Sequence, residues 1–380
     1  MTAARLLPPL LPQPGQDHLA ARDLARQHAP SDSVDDDGAE FRGAWKRFAD
    51  FGVYNLTIPD SDLDIDAVLS TLEGLGEGTR NAGFLLSIGA HSFAAGAAIS
   101  RFGTEGQHRV LDLMRDGSVI AAFAATEPDA GSDVMSLRTR CVAVDGDYVL
   151  DGTKHFITNA LLADYFVIFA TKDRRLNYRG ITAFLVPRDT PGLYVGPAQA
   201  LIGLTGCSMC TVHLDSVRVP RSAMLGRIGQ GSLVFRHAML WERSLLAALA
   251  LGAMRRQLTE VMGAALAHDQ RVELGPWHPD MVRQVVDIAG RYLVGRLLVR
   301  DTVTKLAADT LTPAEASLTK LWISEAELAT SRDLTAIDKT TELVSGVRTG
   351  ELFNAIGGTI YSGTSDIQRK IVAAELGIFQ

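Results

Sequence analysis

Two stretches of this 380-residue chain hold side chains whose type and setting could do chemistry. The first is "AMLWERSLLAALALGA", residues 238–253. Read as a helix, it gives Glu242 the neighbours Ala238, Met239, Leu245 and Leu246 at three and four residues, all apolar. Its only polar residues are Glu242, Arg243 and Ser244, so such a helix is buried on most sides. A carboxylate there is costly unless it is paired, protonated or put to use. Desolvation would also raise its pKa, as a general base at neutral pH requires. Two readings stand, a general base and an internal Glu242–Arg243 ion pair. The second stretch is "YSGTSDIQRKIVAAELG", residues 361–377, a polar loop running into a helix. Ser362, Thr364 and Asp366 stand at its start. An unassisted hydroxyl stays protonated, so Ser362 cannot itself be a base.

Four motifs follow one another in order: "AATEPDAGSD" (124–133), "DGTKHFITNA" (151–160), "LDSVRVP" (214–220) and the closing 361–377 segment. Together they resemble the acyl-CoA dehydrogenase family over roughly 100–377. The resemblance implies FAD as cofactor. It also implies a reaction in which a base removes the α-proton of an acyl thioester while the β-hydride passes to flavin N5. By position, Phe123, Ala125, Thr126 and Ser132 would line one side of the flavin, Thr126 reaching its pyrimidine edge. Phe156 and Thr158 would lie on the other face, and Thr364 and Asp366 near the adenine. Arg271, in "RVELG", would reach the flavin pyrophosphate of a neighbouring subunit. Many members carry a glutamate where this chain has Ser362, which leaves Ser362 lining the substrate. A subgroup places the glutamate just before an arginine on the first long C-terminal helix, and "WER" fits that placement. Glu242 would then be the base, and Arg243 would orient it or touch the substrate's pantetheine arm.

The pattern also departs from the family. Leu274 replaces an aromatic, "AIDKTTE" (336–342) stands where a Gly-Gly turn is usual, and "IPDSDLDID" lacks a glycine-rich stretch. The intersubunit half of the FAD site is therefore altered. Pairing "WER" with "SGTSD" is similar to dehydrogenases of acyl or aminoacyl groups held on carrier proteins, such as prolyl carrier-protein dehydrogenases of bacterial secondary metabolism. The resemblance implies an acyl thioester on a carrier protein or CoA, a homodimer or homotetramer, and a flavoprotein or oxygen as electron acceptor. Two alternatives stay open: a flavin-dependent monooxygenase on the same fold, and a non-catalytic partner subunit. The basic stretch "KDRRLNYR" (172–179) reads first as a solvated hairpin tip, with capture of an acidic carrier as its other reading.

Bulk properties agree with a globular enzyme. The chain is 47% hydrophobic and 21% charged, with a formal net charge of −7. No dense basic stripe invites nucleic acid. Cys141, Cys207 and Cys210 make no disulfide framework, and the lone "CSMC" lacks the second pair of a zinc site, so no metal is expected. The N-terminal apolar run holds two prolines and no clear cleavage site, and 238–253 is short for a span and carries charge. These features predict a cytoplasmic protein without a membrane partner.

Three regions must position these groups. Residues 1–118 carry helical spacing, as in "HLAARDLARQHA" and "EFRGAWKRFADFG". Residues 119–228 break into short β-branched and aromatic runs, with "VDGDYVLDG" as a hairpin. Residues 229–380 return to long helical patterns at 233–267, 279–309, 313–345 and 366–376. The order predicts an α+β chain: an N-terminal helical domain, a middle antiparallel β-domain and a C-terminal four-helix bundle.

Overall fold

The strands begin where the sequence turns β-branched and aromatic. The structure, a computed structural model, describes residues 11–31, 38–58, 63–269, 279–337 and 347–378. Asp145 and Gly146 take φ of 51° and 87°, positive values that a tight two-residue hairpin turn demands. They join β2 (Arg140–Val144) to β3 (Asp147–Ile157), with Val144 opposite Asp147. The remaining strands are β1 (Ala121–Ala124), β4 (Tyr165–Thr171), β5 (Ile181–Pro187), β6 (Leu193–Ala198), β7 (Cys210–Val219) and β8 (Met224–Leu225). Their order is β6-β7-β3-β2-β4-β5-β8, with β1 paired to β4. The sheet is mixed rather than wholly antiparallel, because β1 and the first residue of β2, Arg140, meet β4 in parallel. β1 follows a helix, α7 (Glu105–Arg115), instead of a hairpin, and nothing in its four residues sets its direction.

Helices of the same unit, Pro30–Leu63 with Gly83–Glu242, hold β1 in place. In α2 (Ala39–Phe51), Phe41, Ala44, Trp45 and Phe48 form one buried stripe, the spacing of a helix that hides a single face. Phe48 packs edge-on against Phe84 at 4.9 Å. Residues 82–102 form α5 (Ala82–Ile88), a π-turn segment (Gly89–Gly96) and α6 (Ala97–Phe102). This run is long and apolar enough to cross a membrane, yet 94% of its most apolar window is buried inside the protein, as in a core helix. His91, within the π segment, accepts a hydrogen bond from the Ala121 backbone N–H through Nδ1 (3.0 Å). Its proton therefore sits on Nε2, which donates to the Met114 carbonyl (3.3 Å). Burial drives the imidazole down to about 3, against which the Met114 bond works weakly, so it is neutral in this role. The ring ties the end of α7 to the start of β1.

The second unit gathers Met1–Ala29, Asp64–Ala82 and Arg243–Gln380. It contains α1 (Gln16–His28), α4 (Ile65–Gly78), most of α8 (Gly231–Asp269), α9 (Pro279–Ala307), α10 (Pro313–Ile337), α11 (Val347–Gly358) and α12 (Ser365–Glu375). α1 lies against α4, where His18 Nε2 meets Glu77 Oε2 at 2.6 Å. Arg255 of α8 holds the same carboxylate at 3.0 Å. α10 packs on α9, α11 and α12. The expected helix over 313–345 ends at Ile337 among the described residues, and α11 is a helix that the pattern did not predict. Gly350, Gly357 and Gly358 lower its intrinsic propensity, so packing on α10 sustains it. Arg271, Leu274 and residues 338–342 lie outside the described residues.

Candidate active site

One group of predicted residues meets on the sheet. The end of β1 and the strand β3 run side by side, since the His155 N–H donates to the Thr126 carbonyl (2.9 Å). Beneath them Lys154, fully buried, reaches Glu127 at 2.7 Å and the Ala125 carbonyl at 3.3 Å. Glu127 also accepts from the backbone N–H groups of Arg138 and Thr139. Burial pulls the Lys154 ammonium down to about 8, with Glu127 resisting. For Glu127 burial pushes upward, but Lys154 and the N–H donors outweigh it and the carboxyl lies below its usual range. Both groups are therefore charged at neutral pH, and the pair fixes the backbone around Ala125 and Thr126. Asn159 adds a second anchor through Nδ2, which donates to the carbonyls of Ser87 (2.9 Å) and Ala121 (3.2 Å). Sequence reasoning missed Lys154, Glu127 and Asn159 as positioning residues. The signal was present, because all three lie inside the quoted motifs.

This scaffold presents Phe156 in an unusual state. Its φ is +55° within a break in the β3–β7 register, and the residue is 55% exposed. A bulky residue in left-handed backbone is strained, and an open phenyl ring gains nothing from water. Half-buried Phe123, Thr126 and Thr158 stand on the neighbouring segments, Ala125 is buried and Ser132 is exposed. An uncovered aromatic face with hydroxyl donors beside it fits a planar, polar-edged ring system such as a flavin.

A second group meets in the helical unit. Ser362 and Gly363 both have positive φ, 53° and 94°. Their carbonyls are held by three side chains. Arg243 Nε donates to Ser362 O (3.1 Å), Lys320 Nζ to Gly363 O (2.8 Å), and Gln368 Nε2 to both (3.0 and 2.8 Å). Arg243 also donates to Ser317 Oγ at 3.1 Å. Its guanidinium thus clamps the loop that opens the closing motif. Ser362 Oγ is buried and finds no hydrogen-bond partner among the described residues. Thr364 caps α12 by accepting from the Ile367 N–H (3.3 Å), and exposed Asp366 pairs with Arg369 at 2.9 Å.

Glu242 precedes Arg243 on α8 and is 8% exposed. Residues 241–250 are buried without interruption, and Ala238, Met239, Leu245 and Leu246 all belong to the core. A second carboxylate, Glu327 of α10, escaped the sequence reading. It lines a small cavity of about 10 Å³ with Leu246, Ala247, Ala250, Gly358 and Tyr361. Burial lifts its carboxyl to about 7, with Arg256 pulling it down and Glu351 pushing it up. The side chain is partly exposed by area yet sits deep in the unit. The cavity beside it reconciles the two, so we treat it as a largely desolvated group. The neighbour test applied to Glu242 does not flag it, since of Ile323, Ser324, Thr330 and Ser331, three and four residues away, only the first is apolar.

Comparison with known proteins gives concordant matches. Residues 122–217 match the acyl-CoA dehydrogenase middle domain, and residues 229–377 match the acyl-CoA dehydrogenase C-terminal domain. The chain is 32% identical over 345 residues to an L-prolyl-[peptidyl-carrier protein] dehydrogenase of Serratia sp. (strain ATCC 39006), covering 88% of each. Among solved structures it is similar to the prolyl acyl carrier protein oxidase AnaB, with TM-score 0.85 and 30% identity over 96% of this chain and 99% of that one. The FAD complex of PigA matches with TM-score 0.88 and 28% identity, over 95% and 97%.

Proposed function

The chain belongs to the acyl-CoA dehydrogenase family, and from that premise we propose an FAD-dependent α,β-dehydrogenase of an acyl thioester held on a carrier protein, an aminoacyl group of the prolyl kind foremost. The observation that carries the reading is Glu242, a carboxylate held among ten consecutive buried residues of a helix. A charge so placed is retained for use more readily than for stability. Glu242 accepts the substrate α-proton, and its apolar surroundings keep water from competing for that proton. Bound FAD would supply the acceptor for the β-hydride, so the hydride, which carries both electrons, and the α-proton leave the substrate by separate routes. Phe156 offers a face on which the cofactor ring can stack, and Thr126 and Thr158 offer hydroxyls to its edge. Arg243 works through the backbone, since it holds the Ser362–Gly363 loop in its left-handed form.

The likeness to carrier-protein enzymes supports a phosphopantetheine-bound substrate over a free acid. The exposed basic loop 172–179, in which Arg175 is tied to Asp173 at 2.8 Å, offers a surface for an acidic carrier. A cytoplasmic homo-oligomer, passing electrons to a flavoprotein or to oxygen, completes the proposal. Anaerobic mixing of the purified holoprotein with prolyl-pantetheine thioester should bleach the flavin. Glu242→Gln should keep the flavin and lose the bleaching. Bleaching at the native rate in that variant would remove Glu242 from the mechanism, and steady oxygen uptake without thioester turnover would favour a monooxygenase.

A further inference from the structure

The cavity beside Tyr361 has a chemical character that an ordinary acyl pocket lacks. Three of its walls, Leu246, Ala247 and Ala250, lie along one face of α8 and are apolar. Across from them Ile323 continues the apolar lining, and a few polar groups, those of Ser324, Glu327 and Tyr361 among them, reach the space. A methyl group built on Gly358 would lie 3.5 Å from Glu327 Oε2 and 3.7 Å from Tyr361 Oη. A carboxylate oxygen and a phenol oxygen therefore converge on one point, and only the absence of a side chain at Gly358 leaves that point open. The space of about 10 Å³ holds one water-sized group. A hydrocarbon chain needs far more room, whereas the nitrogen of an amine matches it.

Among the described residues Glu327 forms no ion pair, and Arg256 acts on it only through space. No hydrogen bond to its carboxylate occurs among them, and the neighbouring charges have other partners, although Arg256 Nε finds none among the described residues. Arg256 is bound to Glu351 at 3.2 Å and to the carbonyls of Gly76 and Thr79. Glu351 in turn is held by Arg348 at 2.8 Å. Lys320, which also lines the cavity, donates to Gly363 O and sits 5.7 Å over the Tyr361 ring. Tyr361 immediately precedes Ser362, whose carbonyl Arg243 clamps, so the cavity adjoins the loop of the proposed reaction centre. We infer that this cavity is a recognition site for the amine nitrogen of an α-amino acyl thioester, with Glu327 as its counter-charge, Tyr361 Oη as a second acceptor and Gly358 as the residue that keeps the space open. The inference rests on the dehydrogenase reading above and adds to it the residues that would tell an amine-bearing acyl group from a plain hydrocarbon one.

Two pantetheine thioesters of nearly equal shape test it, prolyl and cyclopentanecarbonyl, which differ by the ring nitrogen. Flavin bleaching under anaerobic conditions gives kcat/KM for each. A charge-assisted hydrogen bond to the amine predicts that the native holoenzyme prefers prolyl by about 10- to 100-fold. Glu327→Gln should lower that ratio at least tenfold. Gly358→Ala, whose added methyl makes only ordinary contacts, should lower it too by filling the space, and it covers the case in which the charge variant fails to fold. Equal rates for the two thioesters in the native enzyme, or an unchanged ratio in either folded variant, overturn the inference and leave the dehydrogenase reading standing. Failure of both thioesters to bleach the native flavin overturns the dehydrogenase reading and this inference together.

Discussion

Glu327→Gln tests the buried carboxylate independently of any substrate. The replacement keeps the shape of the side chain and removes its charge. In the folded protein burial lifts the carboxyl from 4.5 to about 7. The unfolded chain loses its proton near 4.5, while the folded one keeps it to about 7. Between those limits the folded state binds more protons, so stability falls as pH rises. At 1.36 kcal/mol per pH unit, the native protein above pH 7 carries a penalty of about 3 kcal/mol that is absent below pH 4.5. The Gln variant lacks that penalty. An unfolding entropy of about 2.1 cal/mol/K per residue turns 3 kcal/mol into a rise of about 4 °C in Tm for a chain of this length. Thermal denaturation of both proteins at pH 5 and pH 8, without substrate, reads the difference directly. The variant should gain little at pH 5 and most of the 4 °C at pH 8. A gain independent of pH, or a loss that grows with pH, would mean that the carboxylate is charged and paired in the folded state, and the reasoning would fail.

Two further changes probe the scaffold under the site. Lys154→Met leaves Glu127 buried with backbone donors but no cation, a break that costs about 3–5 kcal/mol, so urea denaturation should show a clear fall in midpoint and flavin retention should drop with it; an unchanged midpoint would separate this pair from the flavin face. Gly363→Ala places a Cβ 2.7 Å from Gln368 Nε2 at φ +94°, where an L side chain costs about 1–3 kcal/mol, and displacement of the clamped loop should slow flavin bleaching at least tenfold; a native bleaching rate would show that the loop's conformation is irrelevant to turnover.

Much of the architecture was readable because it rests on local signals. The Asp145-Gly146 hairpin follows from two residues that tolerate positive φ. The stripe Phe41, Trp45, Phe48 follows from helical spacing, and the long C-terminal patterns locate α8, α9 and α10. The unread parts depend on partners distant in sequence. β1 owes its parallel direction to β4, more than forty residues later. α11 owes its existence to α10, since its three glycines argue against a helix when read alone. Grouping of α1 and α4 with the C-terminal helices likewise depends on His18, Glu77 and Arg255, which no window of sequence brings together.

The candidate site shows the same division more sharply. Motif order named Phe123, Thr126, Phe156 and Thr158, and the sheet brings them to adjoining segments. The resemblance placed a glutamate at Glu242, and the apolar neighbours of a lone acidic residue in that helix agreed with it. Glu327 fails the same test, since small polar residues rather than leucines flank it. Its setting comes from Leu246 and Ala250 on α8 and from Gly358 and Tyr361 after α10, a convergence that only folding creates. The loop that carries Ser362 in place of a carboxylate is also the loop whose carbonyls take up Arg243 and Lys320. Two buried cations there donate to backbone oxygens of the loop. On the proposed reaction, the acid–base work falls to Glu242 on α8 and not to this loop, whose part is to be held in its left-handed form.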